Sequence, residues 1–91
     1  MRRLGLWMIL MAVSAAGFEI APARAQDVCT QLWVARNSIY KEYGYCFKTA
    51  RAIRYFGNAG CQHDNERDLP ISRADRARIN QIVREERALG C

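Results

Sequence analysis

Four cysteines in a very short chain limit the fold more than any other feature. Cys29, Cys46, Cys61 and Cys91 all lie in the last 66 of the 91 residues. Ahead of them stand a basic Met1-Arg2-Arg3, 15 uncharged residues from Leu4 to Phe18, and Ala23-Arg24-Ala25. The two alanines occupy the −3 and −1 positions of a secretory cleavage site. Residues 1–25 are therefore read as a signal peptide cut after Ala25, and residues 26–91 as one domain. An uncleaved anchor is the rival, but the apolar run falls short of the roughly 20 residues that span a bilayer, and Glu19 ends it. No membrane span is expected after cleavage. An even cysteine count in a short exported chain reads as a disulfide framework. A domain this small buries only about 60% of its unfolded surface, so bridges contributing about 2–4 kcal/mol each matter to whether it folds at all.

Removing the leader also changes the charge. Three of the 14 basic residues (Arg2, Arg3, Arg24) and one of the 9 acidic residues (Glu19) leave, so 11 stand against 8 and the net charge falls to +3. The arginines are dispersed along the chain, and together with export this argues against a nucleic-acid partner.

Hydrophobic periodicity predicts helices. Val28, Leu32, Ala35, Ile39 and Tyr43 recur at helical spacing, with Asp27 or Thr30 as a possible N-cap and Gly44 placed to end the segment in the left-handed region. A short second helix is expected from Ala50 to Phe56, capped by Thr49, stopped by Gly57, with Ala52, Ile53 and Phe56 turned inward. Residues 57–70 show neither helical nor strand period and read as a loop. The third helix opens at Ser72, with Asp75 three residues on in a capping-box arrangement. It carries Ile79, Ile82, Val83, Glu86 and Leu89 along one side, where Glu86 interrupts an otherwise apolar stripe. The expected fold is mainly α, a three-helix minidomain stapled by two disulfides. Three pairings of four cysteines are possible. If the first and last helices pack antiparallel, Cys29 meets Cys91 and Cys46 is left with Cys61.

No familiar catalytic constellation is legible. Cys61 and His63 form one close pair, but structural zinc uses two, and oxidised thiols serve neither as ligands nor as nucleophiles. Asp64, Glu66 and Asp68 alternate like the first ligands of a calcium loop, but Leu69 stands where such a loop needs glycine. No metal site and no cofactor is expected. The stretch Arg36 to Lys48 is the remaining candidate. Trp33, Tyr40, Tyr45 and Phe47 read as core aromatics, whereas Arg36 and Asn37, adjacent on the same face, suit either a buried tie or a ligand contact.

The run Leu32 to Thr49, then Ile53-Arg54-Tyr55-Phe56, then Pro70 to Ile82, resembles the YARHG domain, a small extracytoplasmic module of bacterial envelope proteins. Arg36, Asn37, Ile39, Tyr40, Gly44, Tyr45, Phe47, Tyr55, Phe56 and Ser72 fall on that pattern. The five-residue signature departs in its middle: Lys41, Glu42 and Tyr43 replace Ala, Arg and His. A role resting on that Arg or His does not carry over, and the four cysteines mark a divergent branch. The resemblance implies a periplasmic or secreted domain without assigned enzymatic activity. The expectation is a non-catalytic envelope module that binds a wall component, a protein or another envelope polymer through Arg36, Asn37, Tyr40 and Tyr45. The alternative is an envelope-acting enzyme or enzyme inhibitor that uses the 61–69 loop with His63 and its carboxylates.

Overall fold

A computed structural model describes residues 22–91; the segment 1–21, which holds most of the expected signal peptide, lies outside the described residues. Among the described residues three α-helices follow one another, α1 (Pro22–Glu42), α2 (Ala50–Phe56) and α3 (Arg73–Ala88), with a 3-10 turn at Glu66–Asp68 in the connection before α3. Helix α1 begins earlier than its sequence pattern predicts. Pro22 occupies its first position, where a missing N–H costs nothing. Asp27 and Thr30 consequently lie inside the helix rather than at its cap, and the expected cleavage point after Ala25 falls within its opening turns.

The end of α1 forms as expected, by a glycine-centred cap. Gly44 has φ +83°. Its N–H donates to Lys41 O at 3.0 Å, and the next N–H, of Tyr45, reaches back to Tyr40 O at 3.1 Å. That double return is the Schellman arrangement, and its usual apolar contact is supplied by the Tyr40 and Tyr45 rings, 5.9 Å apart. The chain then leaves extended. Gly44 O accepts from the Gln62 and His63 N–H groups, and Cys46 N–H donates to His63 O at 2.8 Å, a parallel bridge that the Cys46–Cys61 disulfide closes. Asn58 extends the pairing through its side chain, accepting from Phe47 N–H at 2.7 Å and donating to Phe47 O at 3.0 Å.

The caps of α2 and α3 also match expectation. Thr49 accepts from Ala52 N–H, and Gly57 stops α2 at φ +74°. Ser72 accepts from Asp75 N–H at 3.0 Å. The capping box differs from its simple form because Asp75 does not reach back to Ser72 directly. The Tyr43 hydroxyl sits between them, accepting from Ser72 N–H at 3.1 Å and donating to Asp75 Oδ2 at 2.6 Å. The tip of α1 is thereby tied to the start of α3.

Three ties show that α1 and α3 run antiparallel. Cys29 near the start of α1 is bonded to Cys91 beyond the end of α3, Arg36 meets Glu86, and Tyr43 at the end of α1 meets Asp75 at the start of α3. This orientation selects the Cys29–Cys91 and Cys46–Cys61 pairing. The core lies between the helices and the 45–47 segment and comprises Tyr40, Phe47, Ala52, Leu69 and Ile79, with Ile82 fully enclosed. Phe56 stacks on Phe47 at 5.0 Å, and Trp33 packs against Phe56 at 5.7 Å.

Two inward assignments are corrected. Ile53 is exposed, because the single buried face of the seven-residue α2 is taken by Ala52 and by Phe56 beside it. Leu89, at the C-cap of α3, is exposed even though its backbone is still helical, because it stands at the last position before Gly90 (φ +75°) takes the chain out of the helix. Leu69 anchors the long loop, although nothing in that loop's composition marks it as core.

Candidate functional site

The four residues singled out on α1 and its exit come together. Arg36, Asn37, Tyr40 and Tyr45 all line one recess of about 210 Å³, alongside Trp33, Phe47 and Glu66. Helix α1 supplies Arg36, Asn37 and Tyr40 because positions i, i+1 and i+4 lie on adjoining strips of one helical face. The Gly44 turn folds Tyr45 back over Tyr40, and the long loop delivers Glu66 from the far side.

Arg36 faces α3. Its Nε donates to Glu86 Oε1 at 2.8 Å and a terminal nitrogen donates to Oε2 at 3.1 Å, a two-point ion pair with side-chain exposures of 25% and 14%. The hydrogen bond to Glu86 raises the Arg36 pKa further, against the opposing effect of burial. Glu86 therefore has a reason to break the apolar stripe of α3: a carboxylate on a core-facing strip needs a cationic partner, and Arg36 is that partner. The interruption of the stripe is the sequence signal from which a pairing could be inferred, although the sequence does not name Arg36 as the partner.

Among the described side chains of α1, Asn37 and Tyr40 are the two most buried, more so than the aliphatic stripe that defined the helix by period. Asn37 Nδ2 donates to Trp33 O one turn back at 2.9 Å. The Tyr40 hydroxyl donates to Glu66 Oε2 at 2.8 Å. Burial first, and then the hydrogen bond and negative charge of Glu66, push the Tyr40 pKa up from 10.0 to about 12. Tyr45 is half-buried, set edge-on to Phe47 at 5.3 Å, and the Lys48 ammonium lies 6.0 Å from its ring. In the sequence Glu66 stands out only within the alternating Asp64, Glu66 and Asp68, which says nothing of Tyr40, since its role depends on a loop whose course is set by tertiary packing.

On the other side of Trp33 and Arg36 a second recess, of about 380 Å³, includes the Cys29–Cys91 bridge and Arg51. There the Arg51 guanidinium lies 3.9 Å from the centre of the Trp33 ring, a cation–π contact that holds α2 against α1.

The 61–69 loop distributes its polar groups. Asp64 pairs with Lys48 at 3.1 Å on the surface, and Glu66 accepts from Tyr40. The His63 main chain is engaged with Gly44 and Cys46, while its ring lines a shallow recess with Lys41, Tyr43 and Gln62. All four cysteines are in disulfides. Among the described residues no group of three or more His, Cys, Asp or Glu side chains converges as metal ligands.

A family model described as the YARHG domain matches residues 8–87. The chain belongs to the YARHG domain family. No curated protein and no solved structure matches the chain. YARHG is a small extracytoplasmic domain of unknown function, and the two disulfides fit an exported protein. No described helix is long and apolar enough to cross a membrane. In this YARHG domain the two outer signature residues act in the fold: Tyr40 is core and Gly44 makes the left-handed turn. Of the replaced middle residues, Lys41 donates to Gly57 O at 3.1 Å and caps the end of α2, and Tyr43 joins α1 to the cap of α3.

Proposed function

We propose that this YARHG domain is an exported, non-catalytic binding module of the periplasm or the extracellular medium, released by cleavage after Ala25. Its ligand seat is the recess of Arg36, Asn37, Tyr40 and Tyr45. The observation that carries the reading is the convergence of these four side chains, with Glu66 from the loop, on a single recess walled by aromatic rings. Such a mixture of apolar walls and a few placed polar groups is the usual make-up of a ligand site. The domain's partner in this reading is a component of the cell envelope.

Tyr45 and Lys48 are the residues to probe. Arg36 and Tyr40 are committed to Glu86 and Glu66, so their removal disturbs the fold together with the site. Tyr45 is half-buried and Lys48 is exposed. The oxidised protein immobilised against an envelope extract should retain a component that Tyr45→Ala and a reduced control both lose, with the helical circular dichroism of Tyr45→Ala unchanged. Retention that is indifferent to both Tyr45 and Lys48 substitutions would remove the recess from consideration.

A further inference from the structure

The side chain of Asn37 is only partly satisfied. The residue is 8% exposed, its Nδ2 is engaged by Trp33 O, and its Oδ1 receives no hydrogen bond among the described residues. A buried amide oxygen without a donor is unfavourable. This oxygen belongs to a residue that lines the recess of about 210 Å³. An occupant of the recess that reaches Asn37 is favoured when it brings an O–H or N–H to that oxygen.

Three further observations narrow its chemistry. Glu66 uses Oε2 for Tyr40, which leaves Oε1 as a second acceptor beside the same recess. Arg36 uses Nε and one terminal nitrogen for Glu86, which leaves the other terminal nitrogen as a donor. Tyr45, Phe47 and Trp33 add aromatic side chains to the lining, and of these Tyr45 is the half-buried one that neither stacks on Phe56 nor lies under Arg51. A purely apolar group leaves the buried Asn37 Oδ1 unpartnered, and a polyanion meets the Glu66 carboxylate. The volume lies below the roughly 300 Å³ at which drug-sized pockets begin, so a single ring-sized unit is the largest occupant. A pyranose ring combines these properties: hydroxyl or acetamido donors, oxygen acceptors, and a C–H face that lies against aromatic rings.

We infer that the recess lined by Asn37, Tyr45 and Phe47 is a saccharide subsite that takes one sugar unit of an envelope glycan, donating a hydrogen bond to Asn37 Oδ1. The assignment rests on the binding reading above and names its ligand class.

The test uses the oxidised, exported chain, labelled with nitrogen-15 and titrated with the trisaccharides of N-acetylglucosamine and of glucose, and with trialanine. At least one trisaccharide should give saturable shifts of the Asn37 side-chain amide and the Tyr45 backbone amide. Asn37→Leu, which keeps the volume and removes the acceptor, should weaken that binding about tenfold or more. Tyr45→Ala should do the same, and stands as the second variant if Asn37→Leu does not fold. Shifts of the same residues by trialanine alone overturn the saccharide class and keep the seat. No shift of any recess residue by the three probes overturns the saccharide assignment. A glycan retained through another face overturns the seat itself.

Discussion

Removal of the two disulfides should destabilise the domain unequally, and the ordering follows from topology. Cys29–Cys91 closes a loop of sequence separation 62, and Cys46–Cys61 one of 15. In the chain-entropy description, a cross-link restricts the unfolded chain in proportion to the logarithm of loop length. The expected contributions are about 4.3 kcal/mol for the long bridge and about 3.0 kcal/mol for the short one at 25 °C. A globular domain of this size has a total stability of only about 3–10 kcal/mol, so either loss is a large fraction of the whole. Cys29→Ser/Cys91→Ser and Cys46→Ser/Cys61→Ser should each be unfolded in urea beside the intact protein, followed by far-ultraviolet circular dichroism. The former should show the lower midpoint, with a stability deficit about 1.3 kcal/mol larger. The short bridge has local support, because Cys46 N–H is bonded to His63 O and the flanking Phe47 is paired with Asn58 at both backbone atoms. The long bridge fastens the open ends of α1 and α3. A short-bridge variant that unfolds at lower urea than the long-bridge variant would refute loop-closure entropy as the governing effect.

Other expectations follow from single contacts. In a double-mutant cycle, Arg36→Ala and Glu86→Ala should each cost about 1–3 kcal/mol and show a coupling above about 0.5 kcal/mol, because the pair is bidentate and only partly solvated; additive losses would show that the pair contributes nothing. Gly44→Ala should lose about 1–2 kcal/mol through its positive φ, while Gly44→Asn should lose less, both read from urea midpoints. Tyr43→Phe removes the hydroxyl between Ser72 and Asp75 and should cost about 1 kcal/mol, with faster amide exchange confined to the first turn of α3. Tyr40 has its folded pKa raised, so the folded state holds the proton more tightly than the unfolded state. The resulting stability is complete below pH 10.0 and is lost as pH rises toward about 12. Tyr40→Phe should abolish that alkaline decline, as measured by denaturation across the range.

What the sequence determined by itself is local or covalent. Gly44, Gly57, Thr49 and Ser72 end or begin helices because backbone φ preferences and capping hydrogen bonds act over three or four residues, and all four perform those tasks in the fold. The family pattern is legible for the same reason, since it is written in order and spacing. Four cysteines in a short chain likewise announce two bridges before any packing is known.

The tertiary structure decided what depends on distant partners. Asn37 and Tyr40 became the deepest of the described side chains of α1, and Ile53 was turned to solvent, because burial is set by what each face meets rather than by its period. Arg36 with Glu86, Tyr40 with Glu66, and Tyr43 with Asp75 are separated by 50, 26 and 32 residues. No local rule selects such pairs. Antiparallel packing of α1 on α3 chose the cysteine pairing and placed Glu86 opposite Arg36, while the course of the 57–72 connection brought Glu66 to Tyr40. Arg36 and Asn37 suited two roles in the sequence because a side chain's partner is fixed only when helices that are remote in sequence are brought side by side.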